Sequence, residues 1–191
     1  CQTAYFKAKY PVEYMAALLS VERNNLEKVG IIIAECRRLG IEILPPSVNR
    51  SELDFSIEYI PEDQVRWAAD NAALAADVPP GVTGRPAIRF GLAAIKNVGE
   101  GPVQAILDGR KGRPFQTIDD FCQRVDLRLV NHAVIECLIH CGAFDSLGAR
   151  RSQLAAVLDR AMAQGGRVQD DRRSGQTSLF GDAGDAGPDP S

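Results

Sequence analysis

The stretch Ile88–Leu107, IRFGLAAIKNVGEGPVQAIL, decides how this sequence reads. Leu92, Ala93 and Ile95 have the spacing of a short helix's apolar face, and Val103, Ile106 and Leu107 give a second helix its buried stripe. Between them Gly99-Glu100-Gly101 predicts a tight turn, with Pro102 at the first position of the new helix, where proline is welcome. The pattern is a helix-hairpin-helix, completed by a small residue, Ala105, four places after the second glycine. Paired glycines let a backbone approach a surface closely, and turn amides at a helix N-terminus favour an anion. In this motif the anion is usually a nucleic-acid phosphate; the plain alternative is an αα-corner packed in a core.

The local charge favours the phosphate. Between Arg85 and Pro114 stand Arg85, Arg89, Lys96, Arg110, Lys111 and Arg113 against only Glu100 and Asp108, in a chain whose net charge is −3. A basic window in an acidic protein is the footprint of contacts to a phosphate backbone, which position a duplex without reading its sequence. Glu100 runs against this pattern, because the middle hairpin position is commonly apolar and a carboxylate there repels phosphate unless it points away.

At 191 residues and 45% hydrophobic content, the chain holds one good core or two small ones. No apolar run is long enough to cross a membrane, and no charged-then-apolar leader is present. The chain opens Cys1-Gln2-Thr3 without an initiator methionine, as if cut from something longer. Cysteines at 1, 36, 122, 137 and 141 are odd in number and form no CxxC, which fits the reduced thiols of a cytoplasmic protein. Cys122, His132, Cys137, His140 and Cys141 invite a zinc reading, but their spacings match no common zinc pattern, and helical core positions explain the cysteines better.

Around the hairpin, the expected fold is mainly α. A helix over Gln2–Lys9 precedes one starting at Pro11 with Val12, Met15 and Leu19 inward. Leu26, Val29, Ile33 and Cys36 mark the next, which Gly40 stops. Ile41, Ile43 and Leu44 predict a short strand closed by Pro45-Pro46, and Ile88–Phe90 a second. Residues 61–87, with an alanine-rich helix around Trp67 and then Pro79-Pro80-Gly81, read as an insertion or linker. Beyond the hairpin, Thr117 caps a helix that buries Ile118, Phe121, Cys122 and Val125. Asn131 caps another, burying Val134, Ile135, Leu138 and Ile139 up to Gly142. The pair is readable as a second, degenerate hairpin unit. A last helix presents Leu154, Val157, Leu158 and Ala161 and is expected to stop at Gly165-Gly166, with a disordered polar tail over 165–191. Within that tail Gln176-Thr177-Ser178-Leu179-Phe180 has the form of a docking peptide, a glutamine for a pocket rim and a Leu-Phe pair to fill it.

Gln2–Pro11 (QTAYFKAKYP), Glu35–Pro46 (ECRRLGIEILPP), Ile88–Gly101 (IRFGLAAIKNVGEG), Gly142–Gly148 (GAFDSLG) and Gln176–Phe180 (QTSLF) run in family order. They resemble successive landmarks of the bacterial DNA polymerase III alpha subunit family, the C-family replicative polymerases. The resemblance implies an internal segment of such a polymerase. Residues 1–60 would be the end of the fingers, 88–150 the helix-hairpin-helix DNA-binding region, and 151–191 a terminal helix and tail. It implies that Lys96, Asn97, Val98, Gly99, Glu100, Gly101 and Arg110 contact duplex DNA, and that Gln176, Leu179 and Phe180 bind the sliding clamp. Other replicase subunits are implied as partners, without naming which. The family often carries a basic pair after the asparagine matching Asn131, where this chain has His132 and Ala133.

Nucleotidyl transfer needs carboxylates that hold two metal ions. The chain has no Asp-x-Asp pair suited to it, and Asp119-Asp120 fits a helix N-terminus. The resemblance implies the same: catalytic aspartates and their magnesium ions belong to the parent polymerase, and this segment has no catalytic residue and no cofactor. Rival readings are a helix-hairpin-helix glycosylase, whose catalytic residue and iron–sulfur cysteines the spacing does not supply; a stand-alone DNA-binding or scaffold protein; and an error-prone polymerase paralogue.

Overall fold

The computed structural model describes residues 5, 9–61 and 83–180, without the side chains of 173 and 175–180. Tyr5 and Lys9, from the expected first helix, are helical. The rest of that helix, the stretch around Trp67 and residues 181–191 lie outside the described residues, as do the side chains of Gln176, Leu179 and Phe180.

Helix α1 (Pro11–Val21) starts with its proline inside the first turn, where no amide hydrogen is missed, and buries Val12, Met15, Ala16 and Leu19. Helix α2 (Leu26–Arg38) is capped by the Asn25 side chain, which accepts from the Lys28 amide, and buries Val29, Ile32 and Cys36. Gly40, at φ 77°, turns the chain out of the helix in a left-handed conformation that glycine adopts without penalty. Three short strands follow, β1 (Glu42–Leu44), β2 (Ser56–Ile60) and β3 (Arg85–Arg89), in the order β1-β3-β2. β3 is central, parallel to β1 and antiparallel to β2. The α1–α2 pair covers this sheet through Ile41, Phe55 and Ile88, forming the first core.

β2 was not expected from the sequence. Its Ser-Ile-Glu-Tyr-Ile is short, and its partner β3 lies across the 61–87 segment, so local pattern alone carried little signal. The expected linker is also shortened at its end, because Arg85–Ala87 belong to β3.

The second core gathers α3 (Glu100–Gly109), α4 (Ile118–Arg124), α5 (His132–His140) and α6 (Arg151–Phe180). Phe121 stands at its centre, edge-on to Phe115 and to Phe144 with ring centroids 4.9 Å away in each case. Both expected caps are present: Thr117 Oγ1 accepts from the Asp120 amide at 3.1 Å, and Asn131 Oδ1 from the Val134 amide at 3.1 Å.

The last helix departs from expectation. It does not stop at Gly165-Gly166 but continues to Phe180, so residues 165–180 are helical where a flexible tail was expected. The reason is packing. A Cβ on Gly165 would lie 2.5 Å from the Cys122 carbonyl oxygen, so the missing side chain lets α6 press against the end of α4. One turn on, Gln169 Nε2 donates to the carbonyls of Cys122 (2.8 Å) and Val125 (2.7 Å), closing the C-terminus of α4. Glycine here serves contact, not termination.

Candidate nucleic-acid interface

The hairpin is built asymmetrically. Its first arm is not an α-helix but a 3-10 turn over Leu92–Ala94, which corrects the expected two-helix form. Leu92 and Ala94 are buried, and the Val98 amide closes the arm by donating to the Ile95 carbonyl at 3.1 Å. Asn97 then takes a left-handed conformation (φ 67°), a place where asparagine is tolerated better than most residues. Gly99 is the N-cap of α3, Glu100 and Gly101 are its first two residues, and Pro102 therefore stands third, not first.

What holds the first arm was not visible in the sequence. Ser51 Oγ accepts from the Ser47 amide and donates to the Phe90 carbonyl at 2.7 Å. The amides of Leu92 and Ala93 donate to the carbonyls of Glu52 and Leu53, each at 3.0 Å. Gly91 makes this approach possible: a Cβ there would meet the Asp54 carbonyl carbon at 2.5 Å. Asn49 holds the segment between α3 and α4, accepting from the Phe115 amide at 2.7 Å and donating to the Phe115 carbonyl at 2.9 Å. Residues 47–54 are the cradle of the hairpin.

Of the expected DNA-contacting residues, Lys96, Asn97, Gly99, Glu100 and Gly101 form one exposed tip. Val98 is buried in the second core and anchors the tip from below. Arg110 is placed differently. Its Nη1 donates to the Ser51 carbonyl at 2.7 Å and its Nη2 pairs with Glu52, with the side chain only 16% exposed. It is a strut between α3 and the cradle.

Among the described residues no side chain caps the N-terminus of α3, and Pro102 has no amide hydrogen to offer. The amides of Glu100 and Gly101 precede the first intrahelical donor, the Val103 amide, which bonds the Gly99 carbonyl at 3.2 Å, and both residues are exposed. Glu100 is turned aside by Arg23, whose guanidinium bridges Asp54 and Glu100. Arg23, Asn24, Lys96, Asn97 and Gly99 line one cleft of about 410 Å³ beside the tip.

The two glycines of the tip, like Gly30 and Gly166, are neither in a left-handed conformation nor in close contact. Neither Gly99 nor Gly101 has a positive φ. A Cβ on Gly101 would meet nothing within 4 Å, and one on Gly99 only Pro102 Cδ at 3.9 Å. Among the described residues, neither backbone conformation nor packing asks for glycine at these positions.

The candidate metal ligands do not assemble. Among the described residues no group of three His, Cys, Asp or Glu side chains is placed to hold a metal ion. Asp120 is engaged by Arg113, by Arg124 and by the Gln116 amide at the start of α4. Among the described residues no helix is long and apolar enough to cross a membrane.

A glycine-tipped turn feeding an uncapped helix, seated on a small helical core, defines a helix-hairpin-helix unit. The chain belongs to that family: the model described as "Helix-hairpin-helix motif" matches residues 40–154, which takes in the cradle as well as the tip. The relatives are more particular. Over 180 residues it is 41% identical to DNA polymerase III subunit alpha of Thermus aquaticus, covering 94% of this chain and 12% of that protein. The same subunit of Vibrio cholerae is 37% identical over 186 residues, covering 97% of this chain and 14% of that protein. That of Escherichia coli strain K12 is 35% identical over 181 residues, covering 94% and 13%. The chain thus spans 12–14% of the length of these relatives, and the resemblance read from the sequence stands, as does its fit to a segment of that subunit.

Proposed function

We propose that this chain is the part of a bacterial replicative DNA polymerase that holds duplex DNA by its backbone and ties the enzyme to its sliding clamp. The observation that carries the first half is the pair Gly99 and Gly101. Nothing among the described residues requires them to be glycine, and Gly101 costs helix stability, up to roughly 1 kcal/mol relative to alanine. A ligand that must come within contact distance of the backbone supplies the reason. A phosphate accepting from the amides of Glu100 and Gly101, with Lys96 beside it, suits the N-terminal end of a helix. Contacts of this kind carry no base information, so binding is indifferent to sequence.

Template-directed synthesis belongs to the parent polymerase, with magnesium held by carboxylates outside this chain. This segment contributes grip on the product duplex. Gln176, Leu179 and Phe180 supply the clamp attachment, the glutamine at a pocket rim and the Leu-Phe pair within it. A tether to a ring threaded on DNA raises the effective concentration of polymerase at the primer end. Partners are therefore duplex DNA, the clamp and other replicase subunits, in the cytoplasm.

The test of duplex holding is a salt titration on two duplexes of unrelated sequence. Binding that falls steeply and equally for both supports backbone contact; a strong preference for one contradicts it. For the tail, Leu179→Ala with Phe180→Ala in the parent polymerase is expected to shorten the product made per binding event when clamp is present. Single-nucleotide insertion is expected to persist. Unchanged product length contradicts the clamp role.

A further inference from the structure

We infer that Arg23 is a positioning residue for the hairpin: it neutralises Glu100 and holds that carboxylate off the place where a phosphate docks. The inference rests on the duplex-holding reading of the tip.

Glu100 is the first residue of α3 and lies beside the amides that would receive the phosphate. A carboxylate is favoured at a helix N-terminus by the same partial charge that favours a phosphate, so the two compete for one location. Arg23 resolves the competition. It lies just past α1, far from Glu100 in sequence, yet its Nη2 donates to Glu100 while its Nη1 donates to Asp54. Its side chain is 19% exposed against 67% for Glu100, so the carboxylate is drawn toward a half-buried cation.

Asp54 fixes Arg23 in turn. Its backbone packs on Gly91, at the root of the hairpin, so the root, the turn after α1 and the tip meet in one bridge. The planar guanidinium fork suits this double duty in a way a lysine ammonium does not. Both terminal nitrogens are occupied by carboxylates, which makes Arg23 a holder of Glu100 and leaves Lys96, exposed on the same cleft, as the cation for phosphate.

The experiment is a double-mutant cycle on duplex binding by the full 191-residue chain at low salt, with the melting temperature of each variant recorded. Arg23→Gln is expected to weaken binding about three- to tenfold, because Glu100 is then an uncompensated charge at the phosphate position. Adding Glu100→Gln to it is expected to restore binding to within about twofold of the unsubstituted chain, a rescue that a merely structural loss at Arg23 does not allow. Glu100→Gln alone leaves Arg23 on Asp54 and is expected to bind about twofold tighter. It carries the test by itself if Arg23→Gln does not fold. Weaker binding by Glu100→Gln, no loss in a folded Arg23→Gln, or a double variant as weak as Arg23→Gln each overturns the inference. If the unsubstituted chain binds no duplex, the duplex-holding reading fails and this one with it; if it binds and the cycle shows no rescue, only this one fails.

Discussion

The α-carbon of Gly165 faces the backbone of Cys122 so closely that a Cβ at Gly165 would stand 2.5 Å from the Cys122 carbonyl oxygen. The next residue, Gly166, faces open space, with nothing within 4 Å of a Cβ placed there. Two adjacent glycines in one helix therefore have opposite consequences. Gly165→Ala is expected to destabilise the fold by about 1–3 kcal/mol, since backbone must move to admit the methyl group. Gly166→Ala is expected to stabilise it by about 0.5–1 kcal/mol through helix propensity alone. Denaturant unfolding of the two variants checks both signs, and equal effects contradict the packing described for α6 on α4.

Lys96 and Arg110 lie in the same basic window of sequence and are expected to behave differently. Lys96→Ala removes an exposed cation at the tip. Stability should stay within about 0.5 kcal/mol, while duplex binding weakens alike on all sequences and its salt slope falls by about 1. Arg110→Ala removes a bond to the Ser51 carbonyl and the Glu52 pair, and should cost about 1–3 kcal/mol of stability. Measuring melting and salt slope for each separates the contact from the strut.

Burial pushes the Cys36 and Cys122 thiols from an ordinary 9.0 up to about 12. A folded-state value above the unfolded one means the folded chain holds more protons between those limits. Stability contributed by these thiols is therefore full below pH 9 and falls as pH rises toward 12. Alkylation at pH 8 should spare both until the chain unfolds, whereas half-buried Cys137 reacts in the native state; rapid native labelling of Cys36 or Cys122 contradicts their burial.

Much of this fold was legible because its signals are local. The caps at Thr117 and Asn131, the inward stripes of α1, α4 and α5, and the strand at Ile41–Leu44 all depend on neighbours within a turn or two. The hairpin tip was legible for the same reason. Its support was not. Ser51 reaches Phe90, Asn49 reaches Phe115 and Arg23 reaches Glu100, and no periodicity announces bonds between residues so far apart in sequence. Gly165 misled because a glycine that admits a neighbouring backbone is spelled like one that ends a helix. The bracing by Arg110 was hidden because a cation near a binding motif and a cation bracing it look alike until their partners are seen.

The glycines of the tip serve a ligand and not the fold, and Gly101→Ala separates the two roles. The variant's melting temperature and its low-salt affinity for a short duplex are compared with those of the unsubstituted chain. The expected variant is more stable by up to about 1 kcal/mol and binds duplex more weakly, because the new methyl group helps the helix and stands where the phosphate must approach. A variant that is stabilised and binds duplex as tightly as before would contradict the ligand role.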